Sequence, residues 1–133
     1  MKKIIAILLC ISALFALGAC GRLTEAKSES VKPEVYFTED KSGTYTDSVG
    51  NVYNYSYKIP AFSGGSEDAE RINKYFDDAL RPIVEDELAA MEDELSLTTG
   101  GIKCEVFGSG DVTSVLVSVY YPNDYIQYYT ASM

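Results

Sequence analysis

Residues 52–76 read Val52-Tyr-Asn-Tyr-Ser-Tyr-Lys-Ile-Pro60, Ala61-Phe-Ser-Gly-Gly-Ser66 and Glu67-Asp-Ala-Glu-Arg-Ile-Asn-Lys-Tyr-Phe76, and they predict a strand, a turn and a helix in succession. Its first part alternates aromatic or apolar residues with polar ones, which is the period of a half-buried strand. Pro60 cannot donate a ladder hydrogen bond, so we expect the strand to end there. Gly64 and Gly65 predict a turn, and Ser66 is a suitable N-cap for the helix that follows.

One long helix is predicted over residues 66–95. Three carboxylates in its first turn suit the positive end of the helix dipole: Glu67, Asp68 and Glu70. Apolar residues recur at three- and four-residue steps, as in a helix that lies on a sheet: Ile72, Phe76, Ala79, Leu80, Ile83, Val84, Leu88, Met91 and Leu95. Pro82 removes one helical hydrogen bond, but the apolar stripe stays in phase across it, so we expect one kinked helix. The segment Thr98-Thr-Gly-Gly101 marks its end.

The other strands are predicted from period-two patterns and turn residues. A short strand at 35–38 precedes a turn-rich stretch at 39–50 that contains Lys41-Ser-Gly43, with a weak strand pattern at 44–46. After the helix we expect strands at 102–106, 112–121 and 125–130, separated by turns at 108–111 and 122–124. Short turns between consecutive strands predict an antiparallel meander. The predicted fold is therefore α+β, with one long, proline-kinked helix packed on an antiparallel meander sheet.

The strand predicted at 112–121 has a clear division into two faces. Val115, Val117 and Val119 are expected to face the core, and Ser114 and Ser118 are expected to face outward.

The first nineteen residues are typical of a secretory signal peptide. Lys2 and Lys3 precede an apolar run at 4–15, which is too short to span a bilayer and has no stop-transfer pattern after it. These residues are therefore left out of the fold prediction.

The end of this leader, Leu17-Gly18-Ala19-Cys20, resembles the lipobox of bacterial lipoproteins. The resemblance implies cleavage before Cys20, lipid on its sulfur and amine, and a lipid-anchored protein on the extracytoplasmic face of the cell membrane. An ordinary secretory signal with a chance cysteine is the alternative. We predict a signal peptide at 1–19, a lipidated cysteine and flexible polar tether at 20–33, and the α+β domain at 34–133.

Cysteine and charge limit the classes of function. Cys10 leaves with the leader and Cys20 takes the lipid, so Cys104 has no partner and is expected to be a small buried apolar residue. Loss of Lys2 and Lys3 leaves 9 basic residues against 20 acidic ones, a net charge of −11. Such acidity excludes binding to nucleic acid and favours a basic protein partner.

Two sets of residues are candidate sites. The helix carries acidic clusters at 77–78, 85–87 and 92–94, which suggest a calcium site, although this spacing favours a solvated helix face and no metal is expected. Five tyrosines near the C-terminus form a candidate binding patch for glycan or peptidoglycan: Tyr120, Tyr121, Tyr125, Tyr128 and Tyr129. Structural use in strands is the alternative for these tyrosines.

No catalytic constellation is recognisable. The chain has no histidine, no Gly-x-Ser-x-Gly elbow, no phosphate loop and no metal-ligand spacing. We therefore expect a protein that is not an enzyme and takes no cofactor.

Residues 55–60, followed by Ala69-Glu-Arg-Ile72-Asn73, resemble a known extracytoplasmic domain. The resemblance is to the PdaC/RsiV-like family, which includes the small domain that precedes the catalytic region of the peptidoglycan deacetylase PdaC. It also includes a domain of the anti-sigma factor RsiV and of many clostridial and bacillar surface lipoproteins. The similarity covers residues 35–130 and takes in no deacetylase domain, so it does not imply deacetylase activity.

The leading hypothesis is a membrane-anchored cell-surface lipoprotein with a non-enzymatic binding or sensing domain for an envelope protein or peptidoglycan. RsiV-like proteins sense lysozyme, a basic protein, which is compatible with the acidic charge. One alternative is a scaffold domain that completes its sheet with a partner chain, since the strand at 125–130 is predicted to lie at an edge. Another is an accessory domain of a cell-wall deacetylase system. A weaker alternative is a cell-wall enzyme that acts through carboxylates.

Overall fold

A computed structural model describes residues 32–133. Its elements follow the order β1 (Val35–Thr46), β2 (Val52–Phe62), α1 (Glu67–Glu92), β3 (Gly101–Ser109), β4 (Val112–Tyr120) and β5 (Ile126–Ser132). All strand pairs are antiparallel, and they form a two-stranded sheet, β1–β2, and a three-stranded sheet, β3–β4–β5. The prediction of an α+β fold with one helix is confirmed, whereas the strands make two sheets instead of one.

Both strands of the first hairpin, β1 and β2, are longer than predicted. β1 continues through Lys41-Ser-Gly43, where we expected a turn, because residues 39–46 pair with β2 without interruption. β2 continues past Pro60 to Phe62, so the prediction that this proline ends the strand is wrong. The register shifts between Phe37 and Glu39, opposite Ile59 and Pro60. A β-bulge there disrupts the ladder locally, so the missing proline donor is tolerated.

Helix α1 begins as predicted and ends earlier. The Ser66 side chain accepts a hydrogen bond from the backbone N–H of Ala69 at 3.2 Å, which is an N-cap. The helix ends at Glu92, and Glu94 adopts a positive φ of 57° just beyond it. Leu95, predicted to belong to the apolar stripe, is 55% exposed. Pro82 lies inside the continuous helix, and a kink there stays a prediction.

Asn73 in the second turn of α1 fastens the helix to the end of β2. Its Oδ1 accepts a hydrogen bond from the Phe62 backbone N–H at 2.7 Å, and its Nδ2 donates to the Phe62 carbonyl at 2.9 Å. This pair gives a structural reason for the strand-then-Ile-Asn pattern at residues 55–73.

One hydrophobic core joins the helix and both sheets. It contains four residues of α1, three of β2 and four of β3 and β4: Ala69, Phe76, Leu80, Val84, Tyr57, Ile59, Phe62, Ile102, Val115, Val117 and Val119. The inward direction predicted for the three valines of β4 is confirmed. Ser118 lies on the side opposite to these valines, as predicted, yet it is only 4% exposed. It pairs with Lys103 and Tyr128 in the neighbouring strands, whose longer side chains share its face.

The two sheets meet where β2 passes β3 without a regular ladder. Gly101 lies against Ser56, and a Cβ at position 101 would be 3.0 Å from the Ser56 carbonyl oxygen. Further along, the Cys104 thiol donates to the Lys58 carbonyl at 3.6 Å. The two strands therefore run side by side in the same direction, joined by close contacts instead of a ladder.

Candidate functional site

The residues predicted to anchor the protein lie outside the described part of the chain. They are Leu17, Gly18, Ala19 and Cys20, and their roles stay predictions. Among residues 32–133, no helix is both long enough and apolar enough to cross a bilayer.

The five tyrosines of the candidate patch do not form one surface. Side chains alternate between the two faces of a sheet, and paired residues share a face. Tyr120 and Tyr128 lie on the face of β3–β4–β5 opposite to the core valines, whereas Tyr129 pairs with the core residue Val117. Tyr121 and Tyr129 pack against the core. The predicted patch is therefore divided between two sides of the sheet.

On the helix side, four rings make what we call the tyrosine cluster: Tyr75, Tyr121, Tyr125 and Tyr129. The centroids of Tyr75 and Tyr129 are 6.2 Å apart with their planes at 62°, and those of Tyr121 and Tyr125 are 5.5 Å apart. Burial, followed by the neighbouring Tyr121, Tyr75 and Tyr125, raises the pKa of Tyr129. Tyr121 and Tyr129 pack against the core, which is a structural use of tyrosine, whereas Tyr75 and Tyr125 are 46% and 56% exposed.

The other side of β3–β4–β5 is the open face, defined by the outward residues of the three strands: Lys103, Glu105, Leu116, Ser118, Tyr120, Ile126 and Tyr128. Tyr128 is 59% exposed, and Tyr120 is half-buried beneath Lys103, whose Nζ lies 5.0 Å from the ring centroid. The face therefore presents rings, aliphatic side chains and one charge of each sign on a regular strand framework.

A cleft of about 360 Å³ adjoins the open face at the junction of β2 and β3. Lys58, Lys103, Glu105 and Tyr120 line it, together with Ser56, Ile102 and Cys104. Lys58 Nζ also lies 4.9 Å from the Phe37 ring centroid and 3.8 Å from an Asp40 carboxylate oxygen. The cleft therefore brings together two of the few basic side chains of a chain with net charge −9.

Cys104 lies in this cleft as a half-buried thiol. Burial raises its pKa to about 11, partly opposed by the charge of Lys58. The thiolate is the nucleophilic form, so Cys104 is unsuited to nucleophilic chemistry at neutral pH.

Glu87 is a buried carboxylate, although the acidic cluster at 85–87 was predicted to be a solvated helix face. Its oxygens accept hydrogen bonds from the Thr98 backbone N–H at 3.0 and 3.1 Å and from the Tyr57 hydroxyl at 3.3 Å, as well as from the Thr98 hydroxyl. Burial and then the adjacent Glu87 charge raise the pKa of Tyr57 to about 12. The nearby buried hydroxyl of Thr99 partly opposes this rise. Glu87 thus joins the helix to the segment that leads into β3.

Asp47 organises the β1–β2 turn in a similar way. Its carboxylate accepts hydrogen bonds from Asn51 at 2.8 and 2.9 Å, from the Val49 N–H and Tyr53 hydroxyl at 3.1 Å, and from the Ser96 hydroxyl at 2.8 Å. Burial would raise its pKa, but the hydrogen bonds from Asn51, Ser96 and Tyr53 outweigh burial and hold the pKa well below the ordinary range. The turn is therefore fixed to the segment that follows the helix.

The remaining acidic residues of the helix do not assemble into a metal site within the described residues. Asp77 pairs with Arg81 at 2.7 Å and Asp78 with Lys74 at 2.5 Å, one helical turn away in each case. Across residues 32–133, no three Asp, Glu or Cys side chains come close enough together to hold an ion.

Sequence reasoning missed Glu87 and the paired lysines of the cleft. Position 87 is three residues after Val84 and seven after Leu80, so its spacing places it on the apolar stripe and could have revealed its burial. Lys58 and Lys103 belong to strands 45 residues apart, and no local pattern indicates that the strands are neighbours.

Comparison of the chain with protein-family models, curated proteins and solved structures gives no match. The relation to the PdaC/RsiV-like domains stays a prediction from the motif at residues 55–73.

Proposed function

We propose that this chain is a membrane-anchored cell-surface lipoprotein whose domain at 34–133 binds a glycan-bearing component of the envelope without catalysis. The lipobox at 17–20 supports the anchor, and the motif at 55–73 supports kinship with the PdaC/RsiV-like domains. We also propose that α1 bends at Pro82, because proline removes one helical hydrogen bond there while the apolar stripe continues in phase on both sides.

The single observation that carries the binding function is the open face. Tyrosine rings on a regular sheet offer flat apolar surfaces with a polar edge. Tyr128 is accessible, and Tyr120 lies beneath Lys103 and lines the cleft together with Lys58 and Lys103. Rings stack on the apolar faces of sugars, and hydroxyl, ammonium and carboxylate groups around them meet sugar hydroxyls and peptide carboxylates. Peptidoglycan presents both chemistries.

The two halves of the tyrosine patch supply a matched test. Tyr128 on the open face and Tyr125 in the tyrosine cluster are 59% and 56% exposed, so their replacement by alanine removes similar accessible rings. Retention of residues 21–133 on insoluble peptidoglycan would be measured for the parent, Tyr128→Ala and Tyr125→Ala. We expect about a tenfold loss of affinity for Tyr128→Ala alone, because a lost aromatic contact is worth about 1 kcal/mol or more. Equal retention of all three proteins would argue against the open face as the site.

A basic protein partner is the second candidate, supported by exposed carboxylates along α1: Glu67, Asp68, Glu70, Glu85, Asp86 and Glu92. Attraction between exposed charges is screened by salt. Retention on immobilised lysozyme that disappears at high salt and is unchanged in Tyr128→Ala would favour this partner. Retention on neither ligand, together with self-association, would favour a scaffold that pairs through the edge strand β5.

A further inference from the structure

Three large apolar side chains are exposed at the tip of the β3–β4 hairpin. Val106, Phe107 and Val112 are 50%, 53% and 48% exposed. We call these three residues the apolar tip. Val106 and Phe107 are consecutive and point to opposite sides of the strand, so the tip is apolar on both sides. None of the three side chains packs against the hydrophobic core. The rings of the open face lie further along the strands.

The chain that leads back to Cys20 leaves the domain beside this tip. The Thr113 hydroxyl, next to Val112, donates a hydrogen bond to the Pro33 carbonyl at 3.3 Å. The Lys32 side chain packs against Gly108, since its Nζ lies 2.8 Å from where a Cβ at position 108 would be. Residues 32–35 and residues 106–108 line a common cavity of about 460 Å³. The start of the described chain is therefore fixed against the base of the apolar tip.

Chain geometry limits how far this end can lie from the lipid. Pro33 is thirteen positions after Cys20, and even a fully extended chain covers at most about 45 Å over that length. The β1–β2 turn around Val49 lies at the opposite end of the domain, about 35 Å along β1 from this attachment, since β1 rises roughly 3.3 Å for each of its residues. Of the two ends, the apolar tip is the one beside which the tether attaches.

We propose that Val106, Phe107 and Val112 insert into the headgroup region of the bilayer that holds the lipid on Cys20, so that the domain docks on the membrane instead of only hanging from it. This inference rests on the proposed lipid anchor. Apolar side chains at an interface enter the boundary between headgroups and acyl chains by about 5–10 Å. Asp111 at the hairpin turn keeps the insertion shallow, because its carboxylate remains among the headgroups, while Lys32 can meet a lipid phosphate.

Docking gives the domain a fixed orientation. Phe107 lies on the same side of β3–β4–β5 as the open face, but Tyr128 and Tyr120 lie level with Lys103 and Gly101, four and six residues from Phe107 along β3. These two rings therefore stay accessible to envelope polymers when the tip touches lipid.

The chain contains no tryptophan, so a single introduced tryptophan is an unambiguous fluorescence reporter of its position. The full chain would be expressed in a bacterial host that lipidates it, and the mature protein reconstituted into phosphatidylcholine vesicles. Phe107→Trp reports on the tip, Val112→Trp is a second reporter there, and Val49→Trp, at a site 77% exposed on the opposite end, is the matched control. Emission and its quenching by lipids brominated in the acyl chains would be recorded for vesicles isolated by flotation.

We expect both tip reporters to shift to shorter wavelength and to be quenched by brominated lipid, and the Val49→Trp reporter to remain at the wavelength of tryptophan in water. Floated protein in which tip and control reporters are equally accessible to aqueous iodide would overturn docking while leaving the anchor intact. A shift without vesicles that grows with protein concentration would assign the tip to a second copy and also overturn it. Protein that fails to float would overturn the anchor, and docking with it.

Discussion

The side-chain amide of Asn73 satisfies both backbone hydrogen-bonding groups of Phe62, with the N–H donor 2.7 Å from Oδ1 and the carbonyl acceptor 2.9 Å from Nδ2. Phe62 is the last residue of β2 and is buried, so water cannot replace these two bonds readily. A single side chain thereby links the helix to the end of the strand before it. The Gly64-Gly65 turn between them needs positive φ values of 105° and 60°, which glycine adopts at little cost.

Asn73→Ala should lower the free energy of unfolding by about 1–3 kcal/mol, because it leaves a buried N–H and carbonyl of Phe62 without partners. Asn54→Ala is the control, since among residues 32–133 the only side-chain hydrogen bond of its amide is with the exposed Thr44 hydroxyl, at 3.1 Å. The control should change stability by less than about 0.5 kcal/mol. Urea unfolding measures both. Equal effects would mean that the contact with Phe62 does not hold the helix in place.

Glu87→Ala should be more costly, by about 3 kcal/mol or more, because it leaves the Thr98 N–H and the Tyr57 hydroxyl unpaired and opens a cavity. Glu87→Gln keeps the volume of the side chain and one acceptor oxygen, so the free energy of unfolding should fall by less than in Glu87→Ala. Asp86→Ala, exposed on the same helix turn, is the control and should be nearly neutral. If chemical unfolding gave the same loss of unfolding free energy for Asp86→Ala and Glu87→Ala, the hydrogen bonds of Glu87 would not stabilise the fold.

Gly101→Ala should destabilise the junction of the two sheets by about 1–3 kcal/mol. Gly101 has a φ of +139°, and an added Cβ would approach the Ser56 carbonyl oxygen to 3.0 Å, where two backbones would have to separate. At the neighbouring Gly100 the nearest atom to an added Cβ is 3.6 Å away, an ordinary contact. Gly100→Ala should therefore be tolerated, and thermal melts of the pair would show whether the close approach of β2 and β3 stabilises the fold.

Acid should weaken the fold partly through Asp47. Its folded-state pKa is held below the ordinary value of about 3.9, so the unfolded chain takes up the proton first as pH falls. The stability from Asp47 is fully present above about pH 4 and is lost as pH falls below that value through the folded-state pKa. Asp47→Asn should have a shallower loss of unfolding free energy between pH 4 and pH 2 than the parent.

The control for this titration is Asp111→Asn, which makes the same change of charge at an exposed turn. Its acid dependence should follow the parent. Parallel curves for Asp47→Asn and the parent would show that the hydrogen bonds around Asp47 do not couple protonation to folding.

The helix start and the core face of β4 could be predicted because both depend on residues close together in the chain. Ser66 caps the helix through a bond to Ala69 three residues away. Val115, Val117 and Val119 alternate with the pleat of their own strand and are buried together. Local periodicity and capping carry enough information for such features.

The two sides of the tyrosine patch could not be separated in this way. Tyr128 and Tyr129 are neighbours in sequence, yet one lies on the open face and the other meets Tyr75 of the helix. The alternation of side chains along β5 puts the two rings on opposite faces of the sheet, but only the position of α1 decides which face is covered. The continuation of β1 through Lys41-Ser-Gly43 likewise depends on ladder partners in β2, which satisfy backbone groups that would otherwise favour a turn.

The α+β class and the capped helix after an aromatic strand can be predicted from the order of residues, because side-chain periodicity and N-capping act over three or four residues. Tertiary packing was needed to bring Glu87 to Tyr57 and Thr98, to line one cleft with Lys58 and Lys103, and to place Val106 and Phe107 beside the chain leading to Cys20. These arrangements join residues separated by 11 to 80 positions. Burial and charge at such distances depend on which surfaces come together when the whole domain packs.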